Sequence, residues 1–254
     1  MGRFDGKVAL VTGATRGIGR ATAVRLASEG ALVAVNYRST GDPKPTLEKI
    51  KEIGGKAFAV EADMRKPDEI IRMVKETARI GGRLDYLVSN AAINPLTKWE
   101  DITVELYDEI QEINLRGTWV VVTEAAKEMI REGHGGAIVC VSSISAWVGA
   151  KEQTAYCATK AGIWMMCKSL ATVFGDHNIR INSVLPGAIA TDMSAELLDP
   201  KGPARKYYED RIPIHRIAEP EEVAGPIAFL LSDDASYCHS SELLVDGGFI
   251  TNAE

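Results

Sequence analysis

The chain has 254 residues, of which 46% are hydrophobic and 25% are charged, and its formal net charge is −6 at pH 7. These values are typical of a globular protein, and the acidic balance argues against a general binder of nucleic acids or anionic membranes. No apolar run approaches the ~18 residues of a membrane-spanning helix, and the first residues lack the apolar centre of a signal peptide. We therefore expect a cytoplasmic protein.

Short β-rich runs alternate along the chain with amphipathic segments of helical length. The runs that predict strands cover 7–13, 31–37, 56–64, 84–92, 136–143, 180–187 and 241–248. Several are continuously apolar, which is typical of strands buried on both faces. The segment 67–81 has apolar residues at helical spacing behind an initial proline, which predicts a helix. The alternation predicts one α/β domain over 1–254, in which helices cover both faces of a seven-stranded parallel sheet.

The segment 192–215 interrupts this alternation between the sixth and seventh predicted strands. It is polar and charged, and Pro200 and Pro203 interrupt it. Open α/β sheets bind ligands beyond the carboxyl ends of their strands, so we expect a movable substrate flap here. Its charges leave two interpretations open, a surface for an anionic substrate or a solvated helix face balanced by acids. The basic residues are Lys201, Arg205, Lys206 and Arg211.

The four cysteines are Cys140, Cys157, Cys167 and Cys238. They form no CxxC pair, and none has a histidine at metal-ligand spacing, so no metal site is expected. We interpret them as reduced, mostly buried small hydrophobic side chains. A nucleophilic Cys157 is the alternative, but no histidine lies close to it in sequence.

A glycine-rich turn separates the first predicted strand from the first helix in VALVTGATRGIGRATAVRL, residues 8–26. Gly13 suits a tight turn, Gly17 lets a pyrophosphate approach the backbone, and Gly19 lets the helix pack on the sheet. The spacing G-x-x-x-G-x-G differs by one residue from the common dinucleotide fingerprint, but the strand–turn–helix context is the one that such a motif needs. We therefore predict a dinucleotide-binding turn.

The end of the second strand indicates which dinucleotide binds. An acidic residue there would bind the adenine ribose hydroxyls and favour NAD. The chain instead reads NYRS at 36–39, with no carboxylate before Asp42. Arg38 and Arg16 are suited to pair with a 2′-phosphate, although two solvated arginines are the alternative. The sequence favours NADP and leaves NAD use open.

The run YCATK at 156–160 places Tyr156 and Lys160 one helical turn apart, so their side chains share a face. By itself this spacing is explained by a buried aromatic ring and a solvated charge. Oxidation of an alcohol by hydride transfer, however, needs a base for the hydroxyl proton. Lowering a tyrosine pKa from about 10 to near 7 requires roughly 4 kcal/mol, which an ammonium about 4 Å away supplies at an effective dielectric of ~20. Lys160 is therefore adequate to convert Tyr156 into a base.

Seven short motifs occur in the order seen in short-chain dehydrogenases/reductases, a family that the chain resembles over essentially its whole length. They are TGATRGIG (12–19), NAA (90–92), IN (113–114), SS (142–143), YCATK (156–160), PG (186–187) and LLVDGG (243–248). The resemblance implies a Rossmann-type doubly wound sheet and a catalytic tetrad of Asn114, Ser143, Tyr156 and Lys160. Two departures are Ala92, where the family usually has glycine, and His239–Ser240, where a Thr-Gly pair is common.

The resemblance also implies a role for each residue. Tyr156 is the base, Lys160 activates it and holds the nicotinamide ribose, and Ser143 hydrogen-bonds the substrate oxygen. Asn114 organises a water that connects Lys160 to solvent. A strand-end cap for Ser143 and a helix-interior position for Asn114 are the alternatives. The implied cofactor residues are Gly13, Thr15, Arg16, Gly17, Ile18, Gly19, Arg38, Ser39, Asp63, Met64, Asn90, Ala91, Ala92, Tyr156, Lys160, Pro186, Gly187, Ile189 and Thr191. Asp63 and Met64 border the adenine, and Thr191 lies near the carboxamide.

Three stretches, 142–156, 185–193 and 241–249, are similar to sugar 1-dehydrogenases of this family, of the L-rhamnose and glucose types. The resemblance implies that the anomeric hydroxyl of an aldose is oxidised to an aldonolactone with NADP or NAD. The implied substrate residues are Ser143, Ser145, Gln153, Tyr156 and Asn94. For Gln153, a solvent-facing turn position is the alternative.

Two other functions remain open. A 3-oxoacyl-thioester reductase shares the tetrad and the glycine turn, but its acidic acyl-carrier-protein partner needs a basic patch at the cleft mouth. A non-catalytic NADP-binding sensor would be favoured by loss of a tetrad residue, and all four are present. Family members usually form tetramers through two long helices, and the apolar segment after Lys160 suits contact with another subunit. We expect a homotetramer that binds a small molecule, without nucleic-acid or membrane partners.

Overall fold

Seven parallel strands form one sheet, described by a computed structural model over residues 2–195, 197–199 and 202–251. The strands are β1 (Val8–Val11), β2 (Leu32–Tyr37), β3 (Lys56–Glu61), β4 (Tyr86–Ser89), β5 (Gly136–Val141), β6 (Ile179–Pro186) and β7 (Glu242–Val245). Their order is β3-β2-β1-β4-β5-β6-β7, which confirms the predicted doubly wound parallel sheet. Most predicted runs extend past the strands, because residues such as Gly13 and Asn90 leave the sheet to build the site. The strand order reverses at β1, since β2 and β3 lie on one side of it and β4 to β7 lie on the other. Open α/β sheets bind ligands at such a point.

Helices cover both faces of the sheet. They are α1 (Gly17–Ser28), α2 (Lys44–Glu52), α3 (Pro67–Gly81), α4 (Val104–Gln111), α5 (Gly117–Glu132), α6 (Thr154–Phe174), α7 (Pro203–Arg211) and α8 (Pro220–Leu231). Strand β1 shows why its run is continuously apolar: Leu10 belongs to the core beneath α3, α5 and α6, whereas Ala9 and Val11 belong to the core beneath α1 and α8. Within the described ranges, no helix is both long and apolar enough to span a membrane.

A π turn, Glu112–Arg116, joins α4 to α5 without interrupting the helical path. The amide of Gly117 donates to the carbonyl of Glu112, five residues back. Such a turn inserts an extra residue into a helix and is frequent at functional sites. Here it carries Asn114, which is fully buried and faces the loop that follows β4.

The predicted flap, 192–215, begins with a 3-10 turn and contains α7. Arg205 pairs with Glu209 at 2.8 Å and Lys206 with Asp210 at 2.9 Å, in both cases one helical turn apart. This arrangement favours the solvated, charge-balanced helix face over a surface for anions. Three flap residues lie outside the described part of the chain: Glu196, Pro200 and Lys201.

The His239–Ser240 pair connects β6 to α6. The Nδ1 of His239 accepts a hydrogen bond from the Ile181 amide at 3.2 Å, and its Nε2 donates to the Ala171 carbonyl at 2.8 Å. Ser240 has φ +60°, a left-handed conformation that strains any residue with a Cβ. The imidazole therefore has a structural role, whereas the serine occupies a position better suited to glycine.

Candidate active site

A cleft of about 470 Å³ opens at the carboxyl ends of the central strands. Loops after β4, β5 and β6 line it, together with the start of α6 and side chains from the flap. Many of the predicted site residues meet there, although they are dispersed along the sequence. They are Ile18, Asn90, Ala92, Asn94, Ser143, Ser145, Gln153, Tyr156, Lys160, Pro186, Gly187, Ile189 and Thr191.

Lys160 is buried in α6, with 2% of its surface exposed. Its Nζ donates a hydrogen bond to the carbonyl of Val141 at 2.8 Å, and it lies 5.3 Å from the centre of the Tyr156 ring. Burial disfavours the charged form of an amine, which lowers the pKa of Lys160 to about 8. The amine can therefore exchange a proton close to neutral pH, which an ordinary lysine cannot do.

The Tyr156 hydroxyl experiences two opposing effects in the protein alone. Burial raises the pKa of Tyr156 above its usual value, whereas a hydrogen bond with the Ser143 side chain lowers it. Burial is the larger effect, because a phenolate loses more hydration than a phenol when water is excluded. The net direction in the protein alone is therefore opposite to the one expected from Lys160, and the role of Tyr156 as the base stays a prediction.

Two serines at the end of β5 have different partners. The Ser143 Oγ accepts a hydrogen bond from the Ser145 amide at 3.0 Å and also hydrogen-bonds Tyr156. The Ser142 Oγ donates to the Lys160 carbonyl at 2.8 Å. Ser142 thus ties the strand end to α6, which sets Ser143 beside the phenol.

The side-chain amide of Asn114 is committed to protein partners. Its Oδ1 accepts from the Ile93 amide at 2.9 Å, while its Nδ2 donates to the Ile93 carbonyl at 2.9 Å and to the Thr159 Oγ1 at 3.3 Å. Both amide protons are therefore used in joining the loop after β4 to α6. A water can therefore hydrogen-bond this side chain only through the remaining lone pair of Oδ1.

The glycine turn fits a pyrophosphate. Gly13 and Gly17 have φ of +62° and +52°, and a Cβ on Gly13 would lie 2.9 Å from the Cα of Ala91. Arg16 occupies the N-cap position of α1, and its side chain makes no capping hydrogen bond to the helix. The first amides of a helix lack internal acceptors, and together with the helix dipole they bind anions. A Cβ on Gly19 would lie 2.3 Å from the Gly13 carbonyl oxygen, so the predicted close packing is present.

The residues predicted to bind a 2′-phosphate lie beside this turn. Arg38 and Ser39 follow β2 and are exposed. The Arg16 Nε lies 3.7 Å from a carboxylate oxygen of Asp192, and both side chains are more than 60% exposed. An exposed pair at this distance contributes little stability, so a phosphate can displace it. The Thr15 carbonyl accepts a hydrogen bond from the Arg20 guanidinium.

The predicted adenine border follows β3. The Asp63 carboxylate is held by the Arg65 guanidinium at 2.5 Å, and this hydrogen bond lowers the pKa of Asp63. The Asp63 amide donates to a carboxylate oxygen of Glu69 at 2.9 Å. Met64 is buried, with 6% of its surface exposed. The segment after β3 is thereby held rigid at the sheet edge.

Backbone contacts hold the other cofactor candidates in place. The Asn90 side-chain amide donates to the Thr12 carbonyl at 2.9 Å, and the Ala91 amide donates to the Thr12 hydroxyl at 3.0 Å. Thr191 and Ser194 form a capping box at the start of the flap, with their hydroxyls 3.1 Å apart. The flap therefore begins directly over the glycine turn, where a Cβ on Gly17 would meet the Thr191 methyl group at 3.3 Å.

The predicted substrate residues form a polar group opposite an apolar wall. The Ser145 hydroxyl donates to the Gln153 Oε1 at 3.3 Å, so Gln153 faces the cleft. The Asn94 Oδ1 is buried and has no hydrogen-bond partner among the described residues. A buried acceptor of this kind is stabilised by a donor from a ligand. The apolar wall includes Leu96, Val148, Met193, Leu197, Tyr207 and Phe249.

Sequence reasoning did not identify three side chains that organise the site: Asn36, Ser142 and Ser194. Asn36 is 2% exposed in β2 and hydrogen-bonds the glycine turn. A single amide in the otherwise apolar run ALVAVN was the signal that could have identified it. Ser194 gave no comparable signal, because its role depends on the turn that brings it to Thr191.

Comparison with known proteins gives consistent matches over nearly the whole chain. A family model described as enoyl-(acyl carrier protein) reductase matches residues 13–250. An L-rhamnose 1-dehydrogenase (NAD(P)(+)) of Sphingomonas sp. (strain SKA58) is 43% identical over 252 residues, 99% of each chain. A 3-oxoacyl-[acyl-carrier-protein] reductase of Staphylococcus epidermidis is 37% identical over 243 residues, 95% of this chain and 98% of that protein. A crystal structure of a short-chain type dehydrogenase/reductase from Mycobacterium marinum has a TM-score of 0.91 at 33% identity and covers 97% of this chain and 96% of its own.

Proposed function

The chain belongs to the short-chain dehydrogenase/reductase family and is an NAD(P)-dependent oxidoreductase acting on CH–OH groups, and from this premise we propose that its substrate is an aldose. The anomeric hydroxyl of an L-rhamnose- or glucose-like sugar is oxidised to an aldonolactone. One observation carries this proposal: the Tyr156 phenol shares its cleft with the hydrogen-bonded pair of Ser145 and Gln153, and with an Asn94 oxygen that none of the described residues hydrogen-bonds. Such groups suit a substrate with several hydroxyls. The similarity to an L-rhamnose 1-dehydrogenase supports it.

In the proposed mechanism, Tyr156 accepts the proton of the anomeric hydroxyl as the hydride leaves the anomeric carbon. The Ser143 hydroxyl donates a hydrogen bond to the substrate oxygen. When bound, the oxidised nicotinamide provides the hydride acceptor and a positive charge that favours the phenolate. Lys160 adds a second cation, and its pKa of about 8 suits it to pass the proton onward. Asn114 keeps α6 in register with the loop after β4, through Ile93 and Thr159.

The proposed nucleotide site uses the glycine turn for the pyrophosphate. Arg38 and Arg16 pair with the 2′-phosphate of NADP, and Asp63 and Met64 border the adenine. Asn90, Ala91 and Ala92 lie along the cofactor, with Pro186, Gly187, Ile189 and Thr191 at its nicotinamide end. The uncapped α1 N-terminus and the exposure of Arg38 support this assignment.

The test is a panel of aldoses assayed with NADP and NAD, and of acetoacetyl thioesters assayed with NADPH and NADH. The absorbance of the reduced nicotinamide monitors each reaction. We expect aldose-dependent reduction of the cofactor with lactone as product, and no such signal from Tyr156→Phe. Thioester reduction without aldose oxidation would replace this proposal with the acyl-carrier-protein reductase. The charge-balanced flap argues against that outcome, because Arg205 and Lys206 already pair with neighbouring acids.

We also propose that the chain is one catalytic domain with a flap at about 192–215, and that it forms a cytoplasmic homotetramer. Trp119 on α5 and Met165 on α6 are each 53% exposed, which supports burial of these two helices against other subunits. All four cysteines are free, as expected in a reducing compartment. Light scattering during size exclusion tests the assembly, and a mass near that of one 27.5 kDa chain would refute it.

A further inference from the structure

Asn36 is a buried polar residue for which the proposed chemistry has no use. It lies in β2 with 2% of its surface exposed, next to the apolar Val35. Strand pairing is a property of the backbone, so the sheet itself does not require an amide side chain at this position. A buried amide is retained only where its hydrogen bonds are satisfied.

The partners of Asn36 come from two separate parts of the chain. Its Oδ1 accepts a hydrogen bond from the Gly13 amide at 3.1 Å, and its backbone carbonyl accepts from the Ala14 amide at 3.1 Å. Its Nδ2 faces the carbonyls of Ala62 at 3.2 Å and Val60 at 3.4 Å. The first contacts lie where the glycine turn begins, and the second lie directly before the predicted adenine border.

We propose that Asn36 is a positioning residue that holds the glycine turn at a fixed distance from the adenine border, and thereby supports binding of both NADP and NAD. The inference rests on the proposed nucleotide site. The position requires one acceptor and two donors on a side chain of fixed length. Aspartate lacks the donors, leucine lacks both kinds of group, and serine is too short to reach both sides.

Asn182 provides a matched control. It is fully buried in β6, accepts from the Ser241 amide at 3.0 Å and donates to the Cys238 carbonyl at 2.9 Å. It therefore joins two chain segments with the same chemistry as Asn36, but none of its contacts involves a residue assigned to the nucleotide. The same substitution at both positions separates loss of a buried amide from loss of nucleotide positioning.

The experiment compares Asn36→Leu with Asn182→Leu by calorimetric titration of NADP and NAD in the absence of any sugar. Thermal unfolding of the nucleotide-free proteins is measured in parallel. We expect Asn36→Leu to raise both dissociation constants by a similar factor of about ten, because an unpartnered Gly13 amide no longer holds the turn. We expect Asn182→Leu to lower the unfolding temperature but to keep nucleotide affinity within twofold. If either leucine variant does not fold, the corresponding serine variants are compared instead.

Unchanged affinity in the Asn36 variant would overturn the inference. An equal loss of nucleotide affinity in the Asn182 variant would also overturn it. So would a loss of affinity for NADP alone, since that indicates a contact with the 2′-phosphate. Wild-type protein that binds neither nucleotide would refute the proposed nucleotide site rather than the role of Asn36. The identity of the sugar does not affect this experiment, because the titrations contain no substrate.

Discussion

Replacing Lys160 with methionine is expected to stabilise the protein at pH 7 while it abolishes turnover. Methionine is unbranched, apolar and only one atom shorter than lysine, but it removes a buried ammonium that donates a hydrogen bond to the Val141 carbonyl. The pKa of this lysine falls from 10.5 to about 8 on folding. Below pH 8 the folded protein therefore holds a charge that it would be more stable without.

The magnitude follows from the shift in pKa. A difference of about 2.5 units corresponds to about 3 kcal/mol of folding free energy at pH 7. Loss of the hydrogen bond leaves the Val141 carbonyl unpaired and offsets about 1–2 kcal/mol of this gain. The net expectation for Lys160→Met is a rise of about 1–2 kcal/mol in the free energy of unfolding. For a chain of this size that corresponds to about 2–4 °C in the unfolding temperature.

The sign of the pH dependence provides the sharper test. Between pH 8 and 10.5 the folded wild-type protein has released a proton that the unfolded chain keeps, so wild-type stability rises with pH relative to the variant. The advantage of Lys160→Met should therefore be largest near pH 7, fall to zero at about pH 9 and reverse by about pH 10.5, because the neutral amine still donates to the Val141 carbonyl. Urea unfolding of both proteins, at one protein concentration and at several pH values from about 7 to 10.5, measures this difference in stability. A variant that is less stable at pH 7, or a difference that does not change with pH, would refute the reasoning.

Three further predictions concern single side chains. Tyr156→Phe should lose sugar oxidation while NADP still binds by titration, and near-normal rates would show that another group is the base. Arg38→Ala should weaken NADP binding by about tenfold and NAD binding by less than about twofold. Only NADP has the 2′-phosphate, with which a guanidinium forms charge-assisted hydrogen bonds. An equal loss of affinity for NADP and for NAD would contradict the pairing of Arg38 with the 2′-phosphate. Ser240→Gly should relieve a left-handed conformation, which would raise the free energy of unfolding by about 1 kcal/mol and the unfolding temperature by about 2 °C. An unfolding temperature below that of the wild type would mean that the serine hydroxyl contributes more stability than the strained backbone costs.

The sequence by itself determined the class of fold, because the signals for it are local. Continuously apolar runs such as VALV predict strands buried on both faces, and β1 indeed contributes Leu10 to one core and Val11 to the other. The glycine turn was readable for the same reason, since Gly13 and Gly17 take positive φ values within one short loop. The spacing of Tyr156 and Lys160 on one helix face is likewise a property of α6 alone.

Only the tertiary structure decided the electrostatics and the supporting contacts. The pKa values of Tyr156 and Lys160 depend on how completely the surrounding fold excludes water, and here burial acts on the phenol against the direction expected from the lysine alone. The contacts of Asn36 with Gly13 and Ala62 join residues 23 and 26 positions apart. No local pattern encodes these effects, because desolvation and long-range hydrogen bonds arise only when strands distant in sequence are packed into one sheet.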